Sequence, residues 1–317
     1  MKEAEWYTVK YIKKKNKLRK IITYKDDTMR EKHKKVNEVL NKTLLYSKFS
    51  KAYIKGTSIF ENAKAHMFND TFLKLDIKDF FNSINHKVLL RILYYEMNKK
   101  FENKIVYDKN TCEKLIKNCS ISNSGVPLGL ITSPALANIY LKEFDNILYG
   151  KLKMLSLENV IYTRYADDLT ISFKSNPNDK EIIRLIEQQV VTLLKRYNLK
   201  LNEKKTKYVS LDKSNHVRVT GLSIIKDANN YRRISIGRKQ INELFYNAID
   251  CFKIYNSHGI ISSSYEVKKI KGLESFILSI EKTGYDNRFS NGMKEEIKKL
   301  GFANLSELIK SLPDSAN

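Results

Sequence analysis

Three aspartates in this sequence stand where their carboxylates could act together. Asp167 and Asp168 are adjacent in the middle of IYTRYADDLTISF, residues 161 to 173, and Asp76 lies within LKLDIKDFF, residues 73 to 81. Both segments carry the β-branched and aromatic residues typical of strands. Two ionised carboxylates about 4 Å apart repel each other by roughly 4 kcal/mol at an effective dielectric constant near 20. An adjacent buried pair therefore requires a positive charge beside it.

A divalent cation can supply that charge. The segments on either side of the pair, IYTRY and LTISF, predict two strands that meet at residues 166–168, and at such a turn both carboxylates can approach one site. Two aspartates at an exposed hairpin tip are also common as plain solvated turn residues. Asp76 favours the metal hypothesis, because three carboxylates converging from two places are what a site for two Mg²⁺ ions requires. The chemistry expected of such a site is in-line nucleotidyl transfer.

The apolar pattern predicts the elements that position these side chains. Leu73, Leu75 and Ile77 alternate with polar residues, which indicates a half-buried strand carrying Asp76, and Asn85 is placed to cap the helix that follows. Further strands are predicted within residues 11–24, as a pair around an Asn-containing turn, and at 207–211 and 219–225, and further helices at 28–45, 181–197 and 237–252. A change to helical, lysine-rich sequence predicts a domain boundary near Tyr231, which separates residues 1–231 from 232–317.

Composition narrows the class of protein. Of the 317 residues, 42% are hydrophobic and 29% are charged, as expected of a globular protein with a core. Lys and Arg number 58 against 35 Asp and Glu, and the formal charge of +23 favours a polyanionic partner such as nucleic acid, although a codon bias toward lysine also raises such a count. Three irregularly spaced cysteines argue against a disulfide framework and a zinc site. With neither a signal peptide nor a membrane span evident, we expect a soluble, cytoplasmic protein.

The residues around the aspartates resemble the motifs of reverse transcriptases. YADD, Tyr165 to Asp168, resembles their catalytic signature, and LKLDIKDFF resembles the strand that brings their first aspartate. The blocks GVPLGLITSPALANIYL, LNEKKT and VTGLSI stand in the order of that family. More narrowly, NAKAH at residues 62–66 and VTG at residues 219–221 match two elements characteristic of bacterial retron reverse transcriptases.

The resemblance implies an α+β fold shaped like a right hand. Fingers and a palm with a ferredoxin-like sheet would occupy residues 1–231, and a helical thumb residues 232–317. The implied activity is RNA-directed DNA synthesis on a cognate structured noncoding RNA, primed from a 2′-hydroxyl of that RNA, which yields branched multicopy single-stranded DNA. Two Mg²⁺ ions are the implied cofactors and deoxynucleoside triphosphates the substrates. The implied partners are the RNA, its DNA product and an effector protein of the same operon in an antiphage defence unit, and any oligomer would form through the effector or the RNA.

The resemblance also implies roles for residues near the aspartates. The catalytic metal ligands are Asp76, Asp167, Asp168 and the backbone carbonyl of Ile77. The nucleotide-binding residues are Arg19, Phe81, Leu128, Gly129 and Lys205. Among these, Arg19 grips the triphosphate, Phe81 excludes a 2′-hydroxyl and Lys205 protonates the leaving pyrophosphate, with Phe80 the other candidate for the sugar gate. The residues that support primer and template are Gly125, Pro127, Tyr165 and Ala166.

Leu128 departs from the family pattern, because most retron enzymes have Gln in that position. An aliphatic side chain cannot make the hydrogen bonds of an amide, so altered nucleotide contacts and fidelity are expected. The RNA-binding residues implied by the resemblance are Asn62, Ala63, His66, Val219, Thr220, Gly221, Arg232, Arg233, Arg238 and Lys239. For His66, a core histidine hydrogen-bonded to the backbone is the alternative.

Three competing hypotheses stay open at this point. One is the reverse transcriptase of a diversity-generating element, in which an aliphatic residue at the position of Leu128 accompanies misincorporation. A second is an abortive-infection polymerase that makes untemplated DNA. A third, of another class, is a non-catalytic RNA-binding scaffold, which the high positive charge suggests. The presence of all three aspartates argues against the scaffold, because clustered carboxylates repel phosphates.

Overall fold

The computed structural model of the chain describes residues 6–14, 17–101, 104–175, 178–258 and 264–313. Two compact units are present, one ending at Ser214 and the other beginning at Asn215. The predicted boundary near Tyr231 therefore falls inside the second unit, where it lies between two strands of one sheet.

The first unit contains the predicted strands and helices around the aspartates. Its strands are β1 (Tyr7–Lys14), β2 (Lys17–Tyr24), β3 (Thr71–Asp76), β4 (Ile161–Tyr165), β5 (Asp168–Phe173) and β6 (Lys207–Ser210). Its helices are α1 (Asp27–Thr43), α2 (Ile59–Ala65), α3 (Phe80–Ser83), α4 (His86–Asn98), α5 (Lys109–Asn118), α6 (Ser133–Tyr140), α7 (Lys142–Lys153) and α8 (Asp179–Arg196). Asn85 caps α4 as predicted, since its side chain accepts a hydrogen bond from the backbone N–H of Val88. β1 and β2 form the predicted hairpin, whereas Asn16 of its turn lies outside the described residues.

Strands β3 to β6 form one antiparallel sheet in the order β4-β5-β3-β6. Along the chain, β3 is followed by helices, the hairpin β4-β5, helix α8 and β6, which is the βαββαβ arrangement of ferredoxin-like sheets. The predicted ferredoxin-like sheet is thus confirmed.

Strand β3 is buried on both faces, and the expectation of a half-buried strand was wrong. Leu73 and Leu75 belong to the hydrophobic cluster that also contains residues of helices α4, α6, α7 and α8. On the opposite face Phe72 is fully buried, and its ring centroid lies 6.3 Å from that of His66, just after α2. A helix over the second face is a tertiary contact that alternation along β3 does not reveal.

The second unit joins a small sheet to a group of helices. Its strands are β7 (His216–Val219), β8 (Leu222–Lys226) and β9 (Arg232–Ser235), and its helices are α9 (Arg238–His258), α10 (Ser264–Ile280), α11 (Asn291–Lys299) and α12 (Leu305–Ser311). The predicted apolar stripe of α9 is buried, with Ile241, Leu244, Phe245 and Ala248 fully inside the unit. Across the described ranges of the chain, every helix is too short or too polar to span a bilayer.

Candidate active site

Asp76 and Asp168 occupy opposite positions on neighbouring strands. Asp76 is the last residue of β3 and Asp168 the first of β5, and the antiparallel register pairs them directly. Residues paired in this way project to the same face of a sheet with Cβ atoms about 5 Å apart. Two aspartates that are far apart in the sequence therefore share one edge of the sheet.

Asp167 reaches the same edge through the tight turn between β4 and β5. Tyr165 pairs with Asp168, which leaves only Ala166 and Asp167 in the loop. Ala166 has a φ of 57°, a left-handed conformation that a residue with a Cβ rarely adopts. The carbonyl of Asp167 accepts a hydrogen bond of 3.0 Å from the backbone N–H of Ile77. This bond ties the turn to the end of β3.

The three carboxylates interact electrostatically. Desolvation raises the pKa of Asp167, and the charge of Asp76 raises it further, while Lys205 and Arg19 oppose the shift. Desolvation and the charges of Asp167 and Asp76 raise the pKa of Asp168 to about 6. Asp168 keeps an exposed edge toward solvent, so water screens part of this repulsion. Clustered carboxylates whose ionisation is opposed have the chemistry of a cation site.

Asp76 has two partners that follow α8 in the sequence. Its Oδ1 lies 2.6 Å from Nζ of Lys205, and its Oδ2 accepts a hydrogen bond of 2.9 Å from the side chain of Asn202. The backbone N–H of Asn202 also donates to the carbonyl of Asp76, over 2.7 Å. Sequence reasoning missed Asn202, although it lies in the LNEKKT block. Within the described part of the chain, no three His, Cys, Asp or Glu side chains already stand as a metal-binding group.

A cavity of about 210 Å³ opens beside Asp76 and Asp168. Three lysines, Lys74, Lys205 and Lys207, also line it. Lys74 and Lys207 are paired across β3 and β6, and Lys74 stands two residues before Asp76, so the side chains of all three residues project from the same face of the sheet. A cavity lined by both carboxylates and lysine side chains can hold a cation and a phosphate together.

The loop after α5 contacts the β1-β2 hairpin and the end of α3. The backbone N–H of Ile22 donates to the carbonyl of Leu128 over 2.8 Å. Gly129 has a φ of 107°, and a Cβ at this position would lie 2.1 Å from the carbonyl oxygen of Ile22. Gly125 has a φ of 74°, and a Cβ at this position would lie 2.9 Å from the carbonyl oxygen of Asn82. Glycine is therefore required where this loop meets two other segments.

The other residues of this loop have structural contacts of their own. Pro127 is buried, and its carbonyl accepts a hydrogen bond of 2.6 Å from the hydroxyl of Ser133. The side chain of Leu128 is half-buried and packs against the core. Arg19 is exposed on β2, and its charge acts on Asp167.

Both candidate sugar-gate residues are buried, and Phe81 contacts a tyrosine on which the charge of Asp167 acts. Phe80 is 2% exposed, and Phe81 is 8% exposed. The ring of Phe81 meets the ring of Tyr53 edge to face, with centroids 6.5 Å apart. The charges of Asp167 and Arg19 both act on the phenol of Tyr53. Sequence reasoning missed Tyr53, because no pattern in AYIKG points to a site assembled from distant segments.

Three residues of the NAKAH element, Asn62, Ala63 and His66, lie inside the protein, which corrects the expectation that they contact RNA; Lys64 and Ala65 are exposed. Asn62, Ala63 and His66 are each 0% or 1% exposed. Both ring nitrogens of His66 are engaged at 2.7 Å, Nδ1 with the hydroxyl of Ser172 and Nε2 with that of Thr163. His66 is therefore a core histidine bonded to side-chain hydroxyls, and it braces the strands β4 and β5 that carry the aspartate pair.

The VTG element forms the hairpin turn between β7 and β8. Thr220 and Gly221 both have positive φ, 46° and 93°, as a two-residue turn of type I′ requires. Val219 is fully buried, so only the turn itself is open to solvent. Arg233, Arg238 and Lys239 are exposed and Arg232 half-exposed, on β9 and the first turn of α9.

Carboxylates from two antiparallel strands of a ferredoxin-like sheet define the class of nucleotidyl-transferring palm sites, and the sequence agrees. Residues 12–224 match the family described as reverse transcriptase (RNA-dependent DNA polymerase). The chain belongs to this reverse transcriptase family, whose members use divalent metal ions and deoxynucleoside triphosphates.

Within that family, the chain is similar to several retron enzymes, among them three of Escherichia coli. The chain is 32% identical over 194 residues to the retron Ec73 reverse transcriptase, covering 61% of this chain and 60% of the relative. It is 30% identical over 240 residues to the retron Ec83 enzyme, which covers 73% of this chain and 69% of that relative. It is 29% identical over 246 residues to the retron Ec86 enzyme, which covers 78% of this chain and 67% of that relative. The chain thus spans 60% to 69% of the length of these relatives.

Solved structures with a similar fold include telomerases. Telomerase from Candida albicans in complex with a TWJ fragment of telomeric RNA matches with a TM-score of 0.52 and 12% identity, over 96% of this chain and 66% of that one. Apo telomerase from Candida tropicalis matches with a TM-score of 0.52 and 13% identity, over 95% of this chain and 58% of that one. At such identity the likeness concerns the fold alone, and it confirms the predicted α+β class.

Proposed function

We propose that this protein is an RNA-directed DNA polymerase of retron type. The observation that carries the proposal is the pairing of Asp76 with Asp168 across β3 and β5, with Asp167 in the adjoining two-residue turn. Membership of the reverse transcriptase family and similarity to retron enzymes support it.

Two Mg²⁺ ions are the cofactors we propose for this site. The ligands would be Asp76, Asp167, Asp168 and the carbonyl of Ile77, and the mutual repulsion of the carboxylates supports this assignment. When bound, such ions activate the attacking hydroxyl and neutralise charge on the transferred phosphate. Because Lys205 already holds Asp76, an ion and this ammonium group would compete for the same carboxylate.

The residues around the carboxylates would bind the incoming deoxynucleoside triphosphate. The guanidinium of Arg19 would contact the phosphates, and Lys205 would donate a proton to the leaving pyrophosphate. Phe81 rather than Phe80 would limit the sugar, because Phe81 borders Tyr53 near Asp167. Gly125, Pro127, Leu128 and Gly129 would shape the wall against the new base pair, with Tyr165 and Ala166 beneath the primer end.

The proposed template is a cognate structured RNA that also supplies the primer through a 2′-hydroxyl. The exposed turn at Thr220–Gly221 and the basic residues Arg232, Arg233, Arg238 and Lys239 would contact it, mainly through phosphates and shape. Arg238 places a positive charge in the first turn of α9, where the helix dipole disfavours it. A bound anion such as a phosphate would offset that cost, which supports an anionic partner. Branched multicopy DNA, an effector protein and a role in antiphage defence complete the proposal.

Nucleotide incorporation by the full chain on a synthetic poly(rA)·oligo(dT) template-primer tests the polymerase. Asp167→Asn combined with Asp168→Asn should abolish incorporation and leave RNA affinity intact or stronger, because two negative charges near phosphates are removed. Asp27→Asn, at an exposed position of α1, is the matched control and should leave incorporation unchanged. Full incorporation by the double variant would contradict the enzyme proposal and favour a scaffold.

The nucleic acid that copurifies with the protein from its native locus tests the retron type. Sequencing should find one structured RNA joined covalently to DNA through a 2′ branch. DNA that grows without any template would instead favour an abortive-infection polymerase, and substitutions concentrated opposite template adenines would favour a diversity-generating enzyme.

A further inference from the structure

Tyr53 is held in a conformation that tyrosine rarely adopts. Its φ is 59°, in the left-handed region, where a bulky side chain is an outlier. Such backbone strain persists only where the surroundings enforce it, and it is concentrated at functional sites. Its side chain nevertheless stays 58% exposed, so burial of an apolar surface does not explain the strain.

The segment before Tyr53 is fixed to the strand that carries the aspartate pair. Two backbone hydrogen bonds, each of 2.8 Å, join this segment to Arg164 of β4. The N–H of Arg164 donates to the carbonyl of Phe49, and the N–H of Lys51 donates to the carbonyl of Arg164. Asn138 of α6 donates its side-chain amide to the carbonyl of Ala52 over 2.8 Å. The chain therefore arrives at Tyr53 with its direction set by the catalytic hairpin.

The segment after Tyr53 is fixed as well. The hydroxyl of Thr57 lies 2.8 Å from both the carbonyl of Lys51 and that of Ile54, and its backbone N–H also bonds to Ile54. These contacts on either side enforce the left-handed conformation. An exposed tyrosine is thus displayed at a defined place on the first unit.

That place adjoins the nucleotide site. The Tyr53 ring stands at 90° to the ring of Phe81, and its phenol lies within the electrostatic reach of both Asp167 and Arg19. Under the proposed function, Phe81 faces the sugar, Arg19 the triphosphate and Asp167 the metal ions. A phenol among these three groups can pack its ring against Phe81 and can donate its hydroxyl hydrogen to an oxygen of the nucleotide.

We propose that Tyr53 is a second specificity-determining residue for the incoming nucleotide. Its ring keeps Phe81 in the orientation that excludes a 2′-hydroxyl, and its hydroxyl donates a hydrogen bond to the triphosphate. The inference rests on the proposed function. The ring contributes to the selection of the sugar, and the hydroxyl contributes to the affinity for the nucleotide. Different substitutions of Tyr53 can measure the two contributions separately.

Steady-state incorporation of deoxy- and ribonucleotides on poly(rA)·oligo(dT) tests the proposal with the full chain. Tyr53→Phe removes only the hydroxyl and should raise KM for the deoxynucleotide roughly fivefold, with kcat and sugar selectivity within about twofold of the wild type. Tyr53→Asn removes the ring but suits the left-handed backbone, since Asn tolerates this region. It should also lower the preference for deoxy- over ribonucleotide roughly fivefold or more.

Tyr95→Phe and Tyr95→Asn are the matched controls, because Tyr95 is similarly exposed, at 62%, and stands on α4 beside Lys99. Both should behave as the wild type. If the wild type incorporates deoxynucleotides but the Tyr53 variants keep its KM and its sugar selectivity, the inference about Tyr53 is wrong and the polymerase proposal stands. If the wild type incorporates no nucleotide, the polymerase proposal fails and the inference falls with it.

Discussion

Arg164 and Asp145 form an ion pair that is completely shielded from solvent. Nε of Arg164 lies 2.8 Å from Oδ1 of Asp145 and Nη2 lies 2.9 Å from Oδ2, and neither side chain has any exposed surface. The same guanidinium bonds Asn138 and, at 3.4 Å, the carbonyl of Ala166 in the catalytic turn. The packing of helices α6 and α7 is thereby connected to the backbone that carries Asp167.

Removing one member of this pair should destabilise the protein strongly. Arg164→Met leaves Asp145 charged and buried, and we expect the free energy of unfolding in urea to fall by about 3–5 kcal/mol. Adding Asp145→Leu to that variant should recover much of the loss, since no unpaired charge then remains. Arg30→Met, which breaks an exposed pair with Asp27 on α1, is the control and should change stability by less than about 1 kcal/mol. Wild-type stability of Arg164→Met would refute the role of the pair.

His66 should make stability depend on pH. Burial lowers its pKa from 6.5 to about 3, so between these values the unfolded chain binds a proton that the folded protein does not. Stability due to this group is complete above pH 6.5 and is lost as the pH falls, by up to about 1.4 kcal/mol per pH unit.

Urea unfolding at pH 7 and pH 5 measures this effect. His66→Gln should lose less stability than the wild type between the two values, because Gln does not titrate. His216→Gln, at an exposed position of β7, should retain the wild-type difference. An identical pH dependence for His66→Gln and the wild type would show that His66 is not held neutral in the fold.

Gly129 and Gly150 should respond in opposite ways to the same substitution. In Gly129→Ala the new Cβ would collide with the carbonyl of Ile22 at a left-handed backbone, so we expect a loss of about 2 kcal/mol or more and reduced nucleotide incorporation. Gly150 lies within helix α7 with open space around it, and Ala there should stabilise by up to about 1 kcal/mol. Thermal unfolding of the two variants makes the comparison, and equal effects would contradict the close approach of the loop to β2.

Lys205 should affect metal affinity and catalysis in opposite directions. Lys205→Gln removes the ammonium group 2.6 Å from Asp76, so calorimetric titration with Mg²⁺ in the absence of nucleotide should show tighter binding. Incorporation should decrease about tenfold or more, because the proposed proton donor is lost. Lys204→Gln, which alters the neighbouring exposed lysine, should change neither quantity. Weaker Mg²⁺ binding by Lys205→Gln would argue against competition for Asp76.

The elements near the aspartates were predictable because their signals are local. Alternation and β-branched residues indicate β4 and β5, and Asn85 together with the apolar spacing that follows indicates α4. The burial of the second face of β3 was not predictable, since the contact between Phe72 and His66, just after α2, joins segments that signal nothing of each other locally. The same applies to His66, whose role depends on hydroxyls of Thr163 and Ser172 on two other strands.

By itself, the sequence determined the chemical types at the site, with three aspartates, a lysine block and a glycine-bearing loop in the order of one polymerase family. These properties depend on the type and order of the residues alone, so they can be recognised without a structure. Only the tertiary structure decided that Asp76 stands opposite Asp168, that His66 is buried and that Tyr53 adjoins Phe81. Strand register and helix placement follow from the simultaneous burial of many apolar side chains, and no short stretch of sequence contains that information.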